Sequence, residues 1–84
     1  MEVIKLREEY IKLGQALKAA GLVENGVDAK YAITDGLVKV NGEVEVQRGK
    51  KLYAGDIVEF EGEKIKIEWL LNLSNLRITE TMIQ

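Results

Sequence analysis

The chain contains no cysteine, no histidine and no proline. The first absence removes disulfides and thiol nucleophiles, and the first two together remove the usual zinc sites. Loss of histidine also removes the commonest acid–base catalyst. Without proline, bends must come from glycine or asparagine. Aromatic residues are scarce, at 6% with a single Trp. Uninterrupted apolar runs last only a few residues, far short of the ~20 needed to cross a bilayer. Met1-Glu2-Val3-Ile4-Lys5 lacks the apolar core of a signal peptide. The expectation is a cytoplasmic protein that needs no membrane, metal or cofactor.

What remains suits one small soluble domain: 84 residues, 46% apolar and 31% charged. A chain of this size buries only about three-fifths of its unfolded surface, so its core is thin. The net charge of −2 argues against bulk attraction to nucleic acid. Its distribution is uneven, however. Residues 1–9, 10–55 and 56–84 sum to −1, +2 and −3, and no acid lies between Tyr10 and Val23. One positive face is therefore compatible with an acidic total.

Val3-Ile4-Lys5-Leu6 reads as a short strand. Over residues 10–20, Leu13, Ala16, Leu17 and Ala20 recur at helical spacing, with Gly21 suited to the left-handed residue after the helix. Lys12, Gln15 and Lys18 occupy the polar face. Gly14 costs helix propensity, which suggests a close approach by another segment. Asn25 suits the N-cap of a second helix carrying Asp28, Ala29, Ala32 and Ile33, closed by Gly36. The pair resembles a helix–turn–helix.

The period then changes to two. Val38, Val40, Val44 and Val46 alternate with other residues around Asn41-Gly42, a hairpin signal. A three-residue loop, Val40-Asn41-Gly42, sets Val38 opposite Val44 and Lys39 opposite Glu43. A two-residue loop would split the valines between faces. The expectation is the three-residue loop with Gly42 in the left-handed region, as a bulged turn. Gln47-Arg48-Gly49-Lys50-Lys51 is a basic loop and Ala54-Gly55-Asp56 a turn. Ile57-Phe60 and Ile65-Ile67 suit strands joined at Glu61-Gly62-Glu63, with Trp69 closing the core. Residues 70–84 fit a helix or a strand equally.

Three sets of residues could carry chemistry. Lys12, Lys18, Lys30, Arg48, Lys50 and Lys51 could track a phosphate backbone, with Gln15 and Asn41 adding hydrogen bonds. The plain alternative is solvated surface charge. Glu8-Glu9 and Glu59/Glu61/Glu63 lack the facing geometry of a catalytic pair and read as solvent faces. Gly49-Lys50-Lys51 lacks the frame of a phosphate loop. The aromatics look scattered, although Tyr53 beside the basic loop suits stacking on a base.

The order of these motifs resembles a known family. Lys12-Leu13-Gly14-Gln15-Ala16-Leu17-Lys18, Gly21-Leu22-Val23, Asn25-Gly26-Val27-Asp28-Ala29-Lys30, Val38-Lys39-Val40-Asn41-Gly42 and Gly55-Asp56 are similar to the S-four RNA-binding domain, over residues 3–69. The helix start and Arg48-Gly49-Lys50-Lys51-Leu52 resemble its small stand-alone bacterial branch (YaaA-like proteins). The resemblance implies an α+β fold. Two short helices in a helix-turn-helix-like arrangement (the αL motif) would pack on a small, mainly antiparallel sheet of four to five strands. It implies a non-catalytic module binding structured RNA, ribosomal or transfer RNA, through Lys12, Asn25, Lys30, Asn41, Gly42, Arg48, Lys50 and Lys51, to which this chain's own polar and basic pattern adds Gln15, Lys18 and Lys39. Gly26 departs from the family's usual Arg, which implies altered affinity or target. On this reading residues 1–69 are the RNA-binding domain and 70–84 an extension. The competing expectation is a protein-interaction module, with the acidic strands and apolar tail docking a partner or forming a homodimer through residues 70–84.

Overall fold

Seen in a computed structural model, the chain is described over residues 2–70. Among these residues the order of elements is β1 (Glu2–Leu6), β2 (Ile11–Lys12), α1 (Leu13–Ala19), α2 (Gly26–Thr34), β3 (Val38–Val40), β4 (Glu43–Val44), β5 (Lys51–Leu52), β6 (Ile57–Phe60) and β7 (Glu63–Trp69). A five-stranded sheet runs β1-β7-β6-β3-β4, and β2 pairs with β5 in a separate ribbon. Only β1 and β7 are parallel within that sheet. The expected α+β fold, two short helices on a mainly antiparallel sheet, is what forms.

Period-two alternation builds the sheet's inner face. Val38 and Val40 pair with Phe60 and Val58, and all four are buried with Ile65 and Ile67. The helices cover this face through Leu13, Ala16, Leu17, Ala29, Ala32 and Ile33. Each fully buried Leu or Ile contributes roughly 2–5 kcal/mol on truncation to Ala, a large share for so small a core. Lys39, Glu59 and Lys64 lie abreast on the outer face, where Lys64 bridges Glu59 at 3.6 Å. This agrees with a solvent-face role for that glutamate.

Both helices stop by the same device. After α1, Gly21 at φ 75° donates to Lys18 and Leu22 to Leu17. After α2, Gly36 at φ 77° donates to Ile33 and Leu37 to Ala32. This paired closure satisfies carbonyls left open at a helix end, and glycine takes the left-handed position at no steric cost. Asn25 accepts from the Asp28 backbone N–H at 2.9 Å and caps α2 as expected.

Four expectations need correction. The first helix starts at Leu13, because Ile11 and Lys12 are drawn into pairing with Leu52 and Lys51. The Asn41-Gly42 loop has two residues, not three: Val40 pairs with Glu43 and Lys39 with Val44. Asn41 and Gly42 have φ of 53° and 87°, the two positive values of a type I′ turn. Val44 is then left 54% exposed, at no cost to the core, because β4 is a two-residue edge strand. Trp69 does not close the core; it is the last residue of β7 and is 47% exposed. The aromatics are not all scattered, since Tyr10 and Tyr53 meet with ring centroids 6.1 Å apart. The expectations for the extension at 70–84 fall, beyond Leu70, outside the described residues.

Candidate nucleic-acid interface

Lys12 has an extended backbone at the start of α1 and offers no side-chain cap. The first helical N–H groups therefore need other acceptors. The basic loop supplies them: Leu13 donates to the Lys50 carbonyl at 2.8 Å and Gly14 to the Arg48 carbonyl at 3.1 Å. The bonds that cap α1 thus fasten the loop against it. Gly14 makes the approach possible, because a Cβ there would stand 2.8 Å from Arg48 Cγ.

The result is a groove of about 310 Å³. Lys12, Gln15 and Lys18 line it from one side, Gly26 and Ala29 of α2 from another, and Arg48 and Gly49 from the loop. Three cations converge, and among the described residues no carboxylate lines the groove. Lys51 extends the positive surface. It pairs directly with Lys12 across β2 and β5, a like-charge juxtaposition that is unfavourable without an anion to relieve it. Lys30 follows Gly26 by one turn of α2 and so projects on the same side of that helix.

The other named residues are placed differently. Lys50 and Lys51 line a second depression of about 420 Å³ with Tyr53, Asn41 and three acids, Glu43, Glu45 and Asp56. The Asn41 amide is engaged within the fold: its nitrogen donates to Asp56 Oδ1 at 3.0 Å and its oxygen accepts from the Ile57 N–H at 2.9 Å. The other Asp56 oxygen accepts from the Tyr53 N–H at 2.8 Å. Gly42 sits at the hairpin tip. The Asn25 side-chain oxygen is occupied by its cap. Lys39, on the outer sheet face, lines a separate depression with Glu59, Glu61 and Lys64.

Two contributors escape a reading of the sequence. Asp56 joins the Asn41-Gly42 and Gly55-Asp56 motifs into one bonded unit, although each is visible alone. Tyr10 becomes a partner of Tyr53 only through the β2–β5 register, which no local pattern announces. Among the described residues no group of three acids is placed to hold a metal ion, and no helix is long and apolar enough to cross a membrane.

Comparison with known proteins identifies the family and the fold. The family model described as the S4 domain matches residues 4–68. The "Probable ribosome maturation protein RlbA" of Bacillus subtilis (strain 168) is 46% identical over 59 residues, spanning 70% of this chain and 83% of that protein. The "Putative RNA-binding protein YbcJ" of Escherichia coli (strain K12) is 38% identical over 61 residues, 73% of this chain and 87% of that one. The solution structure of YbcJ from E. coli, described as revealing an αL motif involved in RNA binding, superposes with a TM-score of 0.64 at 36% identity. That match covers 81% of this chain and 87% of the other. The chain belongs to the S4 domain family.

Proposed function

We propose that this chain is a non-catalytic RNA-binding module that grips structured RNA by phosphate and shape contacts. The observation that carries the reading is the acid-free groove in which Lys12, Lys18 and Arg48 converge beside the opposed pair Lys12 and Lys51. A phosphate backbone relieves that repulsion and supplies the missing anion. Gln15 is placed among the cations to hydrogen-bond a ribose 2′-hydroxyl, the group that separates RNA from DNA. The name of YbcJ supports RNA binding, and that of RlbA, a probable ribosome maturation protein, supports ribosomal rather than transfer RNA as the target.

Lys12, Gln15, Lys18 and Arg48 form the centre of this surface, with Lys30, Lys50 and Lys51 at its rim. Asn25, Asn41 and Gly42 shape the elements that carry it. Lys39 lies outside it. Residues 1–69 are the binding unit in this proposal. About three to five phosphate contacts give log K a slope of roughly −2 to −4 against log salt.

The test is fluorescence anisotropy of a labelled structured ribosomal RNA fragment over a salt series, with single-stranded RNA and duplex DNA as controls. Preferential, salt-sensitive binding that weakens in Lys12→Ala/Lys18→Ala is expected. Equal or absent binding to all three nucleic acids overturns the proposal.

A further inference from the structure

The β2–β5 register pairs Ile11 with Leu52 and Lys12 with Lys51, so Tyr10 and Tyr53 flank the same end of the ribbon. Their rings are tilted by 53° at 6.1 Å between centroids. The Lys51 ammonium lies 4.8 Å from the Tyr10 ring centre, so one face of Tyr10 is occupied. Tyr53 is 44% exposed. An aromatic ring left in solvent forgoes a large apolar burial, and here it lines the depression that also holds Lys50 and Lys51.

Two features make this ring pair continuous with the groove. Gln15 lines the groove with Lys18 and Arg48, and it also lines the neighbouring depression that contains Tyr10 and Arg7. Lys51 stands opposite Lys12 on one side and over Tyr10 on the other. The opposed lysines are thus separated from the two tyrosines along the ribbon by the single pair Ile11 and Leu52.

Charge assigns the two ends. The groove has cations and no acid, which suits phosphate. The Tyr53 depression is net acidic, with Glu43, Glu45 and Asp56 against Lys50 and Lys51, so an uncharged base suits the ring and a phosphate suits only the edge where Lys51 faces Lys12. Resting on the RNA-binding reading above, we infer that Tyr53 stacks an unpaired base, with Tyr10 bracing the ring and Lys51 holding the adjoining phosphate. The preferred ligand is then a helical RNA with a bulged or splayed nucleotide. In a continuous duplex the base faces are already stacked and none is presented to Tyr53.

The test compares two RNA hairpins of one sequence, fully paired or carrying a single bulged fluorescent purine analogue. The expected preference for the bulged hairpin is roughly 5- to 100-fold, the range for one base on one aromatic ring. Tyr53→Ala should abolish the preference while leaving affinity for the paired hairpin unchanged, and Tyr53→Phe should keep it. The purine's fluorescence should be quenched on binding the natural protein and the Phe variant, but not the Ala variant. Urea unfolding checks the fold, which should persist because the Tyr53 contact to Asp56 is made by its backbone. Equal binding of the two hairpins by the natural protein, or a preference that survives Tyr53→Ala, overturns the stacking inference and leaves the RNA reading standing. Binding of neither hairpin overturns both.

Discussion

The Gly14 N–H donates to the Arg48 carbonyl at 3.1 Å, and the Arg48 side chain lies over the position a Gly14 Cβ would occupy. The two residues define how closely the basic loop meets α1. Gly14→Ala would place a methyl 2.8 Å from Arg48 Cγ and 3.4 Å from Cδ, but 3.7 Å from the backbone oxygen. The side chain must yield while the backbone need not. Ala also improves helix propensity by up to about 1 kcal/mol. Cγ lies near the root of the side chain, so this overpacking costs about 1–3 kcal/mol; stability should fall by up to about 2 kcal/mol net, while RNA affinity falls roughly three- to tenfold as one charged contact is displaced. In a double-mutant cycle with Arg48→Ala the two losses should be strongly non-additive. Additive losses would separate Gly14 from Arg48.

Gly26 lines the same groove, and a Cβ added there meets nothing within 4 Å. Gly26→Arg should place a fourth cation beside Lys12, Lys18 and Arg48. A cation at the first residue of α2 opposes the helix dipole, by about 0.3–1 kcal/mol. Replacing Gly also gains helix propensity of up to about 1 kcal/mol, so stability should stay close to that of the natural protein while binding strengthens. RNA affinity should rise and the salt slope should steepen by about 0.7–0.9, one added phosphate contact. An unchanged slope in an anisotropy titration would place the RNA away from α2.

Asn41 ties the hairpin to the start of β6 with one residue. Its backbone N–H donates to the Ile57 carbonyl at 2.7 Å, and its amide bonds both Ile57 and Asp56. Asn41→Gly keeps the positive φ but loses the amide, whereas Asn41→Ala loses both. Each lost hydrogen bond costs about 0.5–1.5 kcal/mol, and a left-handed Ala adds about 1 kcal/mol or more. Urea denaturation should find the natural protein most stable, Asn41→Gly next and Asn41→Ala least. The last should lie roughly 2–4 kcal/mol below the natural protein. Equal stability of the two variants would mean that the turn conformation carries no strain for Ala.

How much of this is legible in the sequence follows from which forces are local. Gly21, Asn25 and Gly36 announce helix ends through the chemistry of adjacent residues, and the structure uses them so. The Val38–Val40 alternation announces a strand for the same reason. The hairpin register is not legible, because alternation treats Val44 as needing a core face. Asn41-Gly42 favours the two-residue type I′ turn locally, and the Asn41 bond to Asp56, fifteen residues away, adds a constraint that no alternation encodes. The cationic residues of the groove are visible as a set, and their convergence is not. It depends on loop carbonyls of Arg48 and Lys50 capping α1, a pairing fixed only in three dimensions. Trp69 misleads because aromatic size suggests burial, while it stands at the last residue of β7 and is half exposed.

Lys5 and Glu68 lie opposite each other across the parallel β1–β7 pair, and Lys5 Nζ donates to Glu68 Oε1 at 3.1 Å. This hydrogen bond, with the charges of Lys5 and Lys66, holds the Glu68 carboxyl below its ordinary value despite some desolvation. A depressed carboxyl binds its proton less readily in the folded state than in the unfolded one. Its stabilising contribution is therefore complete above about pH 4.3, the unfolded glutamate value, and is lost as pH falls through the lower folded value. The pair is exposed, so salt should weaken it. In Lys5→Met the Glu68 carboxyl should titrate nearer to the ordinary value, although Lys66, 3.7 Å from Oε2, still holds it down in part. An NMR titration of the Glu68 side-chain carboxyl carbon follows this directly. Parallel urea unfolding should show a shallower loss of stability on the acid side for the variant and no change in its pH dependence above about pH 6, well clear of the glutamate range. If the Glu68 titration is the same in both proteins, the lowering comes from Lys66, and the β1–β7 edge owes nothing to the Lys5 contact.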